Sequence, residues 1–358
     1  MSDTIAVADP IEDRVEAAEQ KKPRRRPGGE ALIIDPVLEK ADHYLRLLRE
    51  LDLTLVKAID THVHADHITA LGVLRDKTHC VTVMGRMSEV DMVSMRVDEG
   101  EKIEIENISL DVLYTPGHTN DSYSFAMSDR VFTGDALFIR GTGRTDFQHG
   151  DNYEAYDSLF NKILKLPDDT LVYPGHDYNG DTVSTIGEEK AFNPRLQVAS
   201  AQEYADIMNN LSLPNPKQMD EAVPANLAIG FSADRTEILD ATISALDAID
   251  LADQANNLFV DLREENERVR DGIIAGSVHL PYQALRGNIK PGGLLAAMST
   301  NENQHILLYC AFGERSALGL QEMIEAGFTN ARHLGGGFDA WVKAGGIVEK
   351  PYEPVNQG

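Results

Sequence analysis

Two kinds of chemistry-bearing residue stand out along the chain. Four potential metal ligands crowd into the run His62-Val63-His64-Ala65-Asp66-His67. Three more pieces follow: Thr115-Pro116-Gly117-His118-Thr119, Thr133-Gly134-Asp135-Ala136 and Tyr173-Pro174-Gly175-His176-Asp177. Imidazole and carboxylate together suit a first-row transition metal. A single loop histidine is usually a surface or hydrogen-bonding residue, but a His-x-His-x-Asp-His run with three separated His/Asp motifs behind it reads as a ligand set. The second kind is a cysteine. Leu307-Leu308-Tyr309 leads straight into Cys310-Ala311-Phe312-Gly313-Glu314-Arg315-Ser316. With glycine three residues on and a helix starting near Ser316, the loop is expected to turn backbone N–H groups toward the sulfur, Gly313 and Ser316 flanking it. Arg315 adds positive charge, and both effects favour the nucleophilic thiolate. A lone cysteine after a strand is ordinarily a buried structural one; the Cys-x-x-Gly-x-Arg pattern favours the reactive reading. A Cys-Arg phosphatase loop generally has five residues between the two, and here there are four.

The elements that position these groups follow from apolar patterning. Ala31-Leu32-Ile33-Ile34 predicts a buried strand closed by Asp35-Pro36, and residues 37–51 show helical spacing with Leu45, Leu48 and Leu51 on one side. Residues 56–59 predict a strand running directly into Asp60-Thr61-His62. The alternation of strand, helix, strand and strand-end polar residue continues to about residue 190, which is α/β organisation with chemistry at strand ends. Pro194, Pro214, Pro216 and Pro224 then punctuate short helical pieces. A second α/β unit follows, with strands at 258–261 and 306–309 and a helix within 240–255. Residues 1–29, ending in Lys21-Lys22-Pro23-Arg24-Arg25-Arg26-Pro27-Gly28-Gly29, read as a charged solvated tail.

The chain's 358 residues suggest two domains. A net charge of -25 repels nucleic acid and anionic membranes, so neither is an expected partner. A site for an anionic substrate must therefore supply its own cations or amides. The two cysteines, Cys80 and Cys310, follow no secretory signal, which predicts free thiols in a reducing compartment. Acidic residues from Asp3 to Glu19 argue against a mitochondrial transit peptide, and no apolar run reaches membrane-spanning length. The expectation is a cytoplasmic protein.

Over about residues 30–235 the His/Asp motifs resemble those of the metallo-β-lactamase superfamily, with His118, Asp135 and His176 in the expected order. The resemblance implies an αββα sandwich with the metal in a cleft at a sheet edge. The superfamily spans glyoxalase II, lactamases, nucleases, flavoproteins and persulfide dioxygenases, and the ligands alone do not separate them. The finer likeness is to persulfide dioxygenases. It rests on Gly134-Asp135-Ala136-Leu137-Phe138-Ile139-Arg140-Gly141-Thr142-Gly143-Arg144-Thr145-Asp146-Phe147-Gln148, on Thr61 to Thr69, and on Val223-Pro224-Ala225-Asn226-Leu227. Glyoxalase II lacks the Arg-Thr-Asp-Phe-Gln run. The resemblance implies one Fe(II) per chain, held by His62, His118 and Asp135 as a facial triad with open positions. His64, Asp66, His67 and His176 would then orient ligands and water. It further implies oxidation of glutathione persulfide by O2 to sulfite and glutathione, with Arg144 and Tyr178 as candidate contacts to glutathione's carboxylates, and a homodimer. The chain departs from the family ahead of Gly28, where relatives carry strand sequence rich in Ser, Thr and Tyr, and at Thr142, where many have Cys.

Residues 236–350 resemble rhodanese domains, leaving 351–358 as a C-terminal tail. The likeness rests on Phe259-Val260-Asp261-Leu262-Arg263-Glu264, Gly276-Ser277-Val278-His279-Leu280-Pro281, the Cys310 loop and Leu334-Gly335-Gly336-Gly337-Phe338-Asp339-Ala340-Trp341. Ile273-Ile274-Ala275 departs from the usual His-Ile-Pro. By resemblance Cys310, with Arg315, takes sulfane sulfur from a donor such as thiosulfate and passes it to a thiol such as glutathione. The whole chain thus resembles persulfide dioxygenase–rhodanese fusion enzymes. The alternatives are a dinuclear zinc thioester hydrolase of the glyoxalase II type fused to a rhodanese, and a redox sensor or sulfur carrier with an inert metal site.

Overall fold

The structure, a computed structural model, describes residues 28–90, 93–178, 180–211, 213, 214, 216, 218–229, 236–252, 254, 256–298 and 305–351. The charged tail expected at 1–29, apart from Gly28 and Gly29, and the C-terminal residues 352–358 lie outside the described residues. The chain divides into two compact units, the first running to Phe231 apart from Met92–Met95, which group with the second, and the second starting at Ser232.

In the first unit, strands β1 (Gly29–Ile34), β2 (Leu53–Ile59), β3 (Val81–Gly85) and β4 (Met95–Val97) form one sheet in that order. The first three are parallel, and parallel pairing requires a crossover helix between strands. Helix Ala41–Glu50 supplies the first crossover and Leu71–Thr78 the second. The first helix starts four residues later than the spacing predicted, because a 3-10 turn, Leu38–Lys40, occupies its front. Its buried face is Ala41, Tyr44 and Leu48, so Leu45 and Leu51 are only partly covered. With both faces covered, β2 from Leu55 onward and the whole of β3 are buried without alternation, Lys57 and Thr82 included.

The second sheet contains β5 (Lys102–Ile105), β6 (Ile108–Tyr114), β7 (Tyr123–Ala126), β8 (Arg130–Gly134), β11 (Leu171–Pro174) and β12 (Ser184–Thr185), in the order β12-β11-β8-β7-β6-β5. A short pair, β9 (Leu137–Phe138) and β10 (Gly141–Thr142), follows Asp135. The edge strand β5 alternates exposed and buried residues, as an antiparallel strand with one wet face should. The two sheets meet face to face: a Cβ built on Gly85 of β3 would lie 1.9 Å from the Tyr123 ring of β7, so only glycine fits there. Helices Asn152–Asp157 and Ala201–Asn209 cover the far side of the second sheet, where Ala155, Tyr204 and Met208 join Val131, Leu137 and Val172 in one core. This is the αββα sandwich the resemblance implied.

The second unit is built on a five-stranded parallel sheet in the order β13-β18-β17-β14-β16. These are β13 (Thr242–Ile243), β14 (Asn257–Asp261), β16 (Val278–His279), β17 (His305–Tyr309) and β18 (Ala331–Leu334); β15 (Ile273–Ile274) pairs separately with β19 (Val348–Glu349). The expected helix within 240–255 is Ala245–Ala252. Asp261 and Cys310 sit at the carboxyl ends of adjacent parallel strands, where open α/β sheets place their chemistry. Asp261 is fully buried and held by the Arg263 guanidinium at 2.7 Å and the Tyr309 hydroxyl at 2.8 Å, which braces that end of the sheet.

Candidate metal centre and sulfur-transfer loop

The four ligand-bearing loops of the first unit each follow a strand: His62 comes after β2, His118 after β6, Asp135 after β8 and His176 after β11. They bring His62, His118 and Asp135 together, with one donor atom from each lying within 4.8 Å of the others. All three side chains are buried. Their hydrogen bonds settle which ring nitrogens can bind metal. Thr61 Oγ1 donates its only proton to Asp35 Oδ2 at 3.0 Å, so it must accept from His62 Nδ1 at 2.9 Å. His118 Nδ1 donates to the Arg144 carbonyl at 2.7 Å. Both Nε2 atoms are therefore left bare, and His118 Nε2 stands 3.6 Å from Asp135 Oδ2. Burial, reinforced by the His64 and His118 rings, pushes His62 well below the ordinary imidazole range. Burial opposes charge on Asp135 as well, but His176 and the other imidazoles outweigh it and hold the carboxyl well below its usual range. The donor set is thus two imidazole Nε2 atoms and one carboxylate, each side chain held by an outer partner, and it fits a facial-triad metal.

The remaining residues of the run are arranged around this set. His176 bridges two carboxylates, Nδ1 to Asp135 Oδ1 at 2.7 Å and Nε2 to Asp66 Oδ2 at 2.9 Å. Carboxylates only accept, so both ring nitrogens carry protons; against the pull of burial, Asp135 and Asp66 raise His176 to about 12. His64 Nε2 meets Asp35 Oδ1 at 3.2 Å, and although burial lowers it, Asp35 raises it to about 9. His67 Nδ1 meets Asp66 Oδ2 at 3.0 Å. His64 Nδ1 and His67 Nε2 are buried without a hydrogen-bond partner, their ring centroids 4.2 Å apart.

Sequence reasoning missed the residues that hold these ligands. Asp35 receives both the Thr61 amide (2.7 Å) and its hydroxyl, so it orients His62 at one remove. Asn226 staples the ligand run: its Nδ2 donates to the carbonyls of His64 (2.9 Å) and His67 (2.8 Å), and its Oδ1 accepts from the Thr69 amide (2.9 Å). That gives Val223 to Leu227 a structural purpose. Gln148 Nε2 likewise donates to the Val63 carbonyl at 2.9 Å.

A cavity of about 560 Å³ opens beside the ligands, with His118, Asp135, Asp66 and His176 on its inner wall. Phe138, Phe147 and Tyr178 line it too. Tyr178 is 75% exposed and stacked on His176 with 5.7 Å between ring centroids. Arg144 also lines the cavity, but its guanidinium pairs with Asp146 (2.6 Å) and donates to the Pro214 carbonyl (2.7 Å). Arg140 pairs with the buried Glu189. Arg195 differs: its Nη1 donates to the Thr142 carbonyl and, at 3.3 Å, to Thr142 Oγ1, and among the described residues it pairs with no carboxylate. Partial burial lowers its pKa, the mark of a cation lacking a counter-charge.

In the second unit Cys310 is fully buried, and both cysteines are free thiols. The Gly313 amide donates to Cys310 Sγ at 3.2 Å, and Ser316 Oγ lies 3.7 Å from the sulfur. Gly313 needs its left-handed backbone (φ 94°), and a Cβ there would meet the Gly336 nitrogen at 2.8 Å. The Gly-Gly-Gly-Phe stretch returns to the loop, Phe338 donating to the Cys310 carbonyl (2.7 Å) and Asp339 to the Ala311 carbonyl (3.0 Å). Arg315 has its guanidinium buried in a bidentate pair with Glu267, both contacts at 2.7 Å, and it also interacts electrostatically with Cys310. The Gly313 amide and the Ser316 hydroxyl make direct polar contacts to the sulfur.

Fold and ligand set together define a metallo-β-lactamase-fold protein with a second, rhodanese-like unit. Residues 25–93 and 94–176 match the metallo-beta-lactamase superfamily, and residues 244–344 match the rhodanese-like domain. Human mitochondrial persulfide dioxygenase ETHE1 is 47% identical over 208 residues, 57% of this chain and 81% of its own length. The bovine protein is 45% identical over 209 residues, covering 58% and 82%. The crystal structure of ETHE1 from Myxococcus xanthus, 52% identical, superposes with a TM-score of 0.55 over 56% of this chain and 89% of that one. A metallo-beta-lactamase from Staphylococcus aureus shares the fold at 22% identity and a TM-score of 0.53, covering 85% of this chain and 90% of that one. The chain belongs to the persulfide dioxygenase family of the metallo-β-lactamase superfamily and carries a rhodanese-like domain behind it.

Proposed function

We propose that the chain is a bifunctional enzyme of sulfur metabolism. Its first unit, holding one Fe(II), converts glutathione persulfide, O2 and water into glutathione, sulfite and two protons. Its second unit moves sulfane sulfur between thiosulfate and glutathione through a persulfide on Cys310. The observation that carries the iron reading is the His62, His118 and Asp135 set beside a His176 whose two nitrogens are both engaged with carboxylates. That arrangement leaves three ligands for one ion and withholds a fourth. Bound there, Fe(II) supplies open positions and reducing electrons for a soft sulfur donor and O2.

The protein's own part is binding and placement. Arg195 is the cavity cation suited to a glutathione carboxylate, in place of Arg144, whose charge Asp146 already takes. Phe138 and Phe147 give the cavity apolar walls that limit water near the reacting sulfur. The two activities form a sequence: sulfur transfer from thiosulfate to glutathione makes a persulfide and sulfite, and oxidation of the persulfide draws that step forward. Free buried thiols at Cys80 and Cys310 suit a reducing compartment such as the cytoplasm, and no helix among the described residues is long and apolar enough to cross a membrane.

One observation favours a second reading. His64, Asp66 and His67 form another cluster of donors within 4.8 Å, and His64 Nδ1 and His67 Nε2 are buried without a hydrogen-bond partner. A second ion there would give a dinuclear zinc hydrolase for glutathione thioesters. The test is oxygen uptake by anaerobically iron-loaded protein on adding glutathione persulfide, with sulfite assayed in the same vessel. Matched uptake and sulfite support the dioxygenase; two bound zinc ions with thioester hydrolysis and no uptake replace it with the hydrolase.

A further inference from the structure

Cys310 is 0% exposed, and the Arg315 guanidinium in the following helix is held in a bidentate pair with Glu267. A thiolate formed there has no solvent to stabilise it or to carry its proton away. Another group must take that proton, and a chain of hydrogen bonds leads to one. Ser316 Oγ lies 3.7 Å from Cys310 Sγ and 3.2 Å from Nδ1 of His333, a buried histidine on β18. His333 Nε2 lies 2.9 Å from Thr242 Oγ1, and Thr242 gives its one hydroxyl proton to the Ile238 carbonyl at 2.7 Å. A backbone carbonyl only accepts, so Thr242 must accept from His333 Nε2. The neutral ring therefore carries its proton on Nε2 and turns a bare Nδ1 toward Ser316.

We propose that Ser316 and His333 form a proton relay for Cys310, His333 acting through Ser316 as a positioning and proton-holding residue. The inference rests on the sulfur-transfer reading of the second unit. The Cys310 S–H bond breaks as Ser316 Oγ takes its proton and passes its own proton to His333 Nδ1. The electron pair stays on Sγ, giving a thiolate beside an imidazolium, an arrangement that activates buried nucleophilic cysteines. Sγ then attacks the sulfane sulfur of a persulfide or thiosulfate; the donor's S–S bond breaks and its electron pair leaves with the thiolate or sulfite. His333 keeps the proton while Cys310 carries the extra sulfur. When an acceptor thiolate attacks that outer sulfur, the Cys310 thiolate is released as the acceptor's persulfide departs, and the relay can run backward to restore the thiol. Ser316 Oγ also donates to the Gly313 carbonyl at 3.1 Å, so its one hydroxyl proton is shared between that carbonyl and His333 Nδ1, and the relay runs when it points at His333.

The test uses the full chain, reduced with dithiothreitol, in wild-type, His333→Asn, Ser316→Ala and Ser316→Thr forms, with Cys310→Ser as the spectral baseline. Two quantities are read at neutral pH: the ultraviolet thiolate absorbance of Cys310, and the stopped-flow rate of its sulfur loading from glutathione persulfide. Asparagine can hydrogen-bond where Nδ1 stood but cannot hold the proton. The relay predicts that His333→Asn and Ser316→Ala lose the thiolate absorbance and load at least about tenfold more slowly, and that Ser316→Thr, which keeps the hydroxyl, regains both. Unchanged absorbance and loading in His333→Asn overturn the relay. So does slow loading with the absorbance intact, which would mark a purely structural histidine. If wild-type protein takes sulfur from no donor, the sulfur-transfer reading fails, and the absorbance comparison still decides the relay.

Discussion

The two sites are built from different materials. The metal centre is assembled from side chains that arrive on four separate strand-end loops, each ligand aimed by an outer partner such as Thr61 or the Arg144 carbonyl. The cysteine loop is one short segment whose shape is set by backbone bonds and by glycines at Gly313, Gly336 and Gly337, all with positive φ. A site made of side chains can be abolished by one truncation that leaves the fold standing. A site made of backbone is vulnerable where a Cβ is added or a buried charge loses its partner. Those are different failures, and they can be told apart.

The largest expected effect is at the ligands. His118→Ala or Asp135→Ala removes one of three donors, and bound metal and oxygen uptake should fall to background while Cys310 still accepts sulfur; metal analysis and an oxygen electrode read this. Next comes Glu267→Gln, which leaves the buried Arg315 guanidinium uncompensated. It should cost about 3–5 kcal/mol in denaturant unfolding of the second unit. Gly337→Ala follows: at φ 63° its Cβ would lie 2.5 Å from the Cys310 carbonyl, so about 1–3 kcal/mol of stability should go together with sulfur-transfer rate. If this substitution were neutral, the contrast between a backbone-built and a side-chain-built site would lose its sharpest support.

Two smaller effects refine the metal side. Thr61→Val removes the acceptor that fixes His62 Nδ1, and should weaken iron binding by about 10–100-fold in a chelator competition without unfolding the unit. Arg195→Met should raise KM for glutathione persulfide by about tenfold with little change in kcat, because it removes a charged contact remote from the reacting sulfur. The same substitution at Arg144 should cost less in KM, since Asp146 already claims that guanidinium.

What was legible in the sequence follows the same division. The ligand run and its three partners were readable because their residue types are rare and their loops follow apolar strands; the Cys310 loop was readable because its glycine and cysteine spacing is local. Pairing was not readable. Arg315 finds Glu267 48 positions away, and Ser316 finds His333 17 positions away, across strands that only the fold brings together. Arg144 was visible as a candidate cation because it sits inside the Arg-Thr-Asp-Phe-Gln run; its pairing with the Asp146 of that run, and the place of Arg195 on the same cavity wall, emerge only from the fold. The first helix shows the limit of periodicity: Leu45 and Leu51 share a stripe with Leu48, but the sheet is met by Ala41, Tyr44 and Leu48, a narrower line set by where the 3-10 turn lets the helix start.

The central claim is that two independent chemistries reside in two regions of one chain. It is tested most directly by oxygen uptake with sulfite release from iron-loaded protein, given either glutathione persulfide or thiosulfate plus glutathione. The account predicts that Cys310→Ser keeps uptake with the persulfide and loses it with the thiosulfate mixture, and that His118→Ala loses both. Uptake from persulfide that disappears in Cys310→Ser, or persists in His118→Ala, would contradict it.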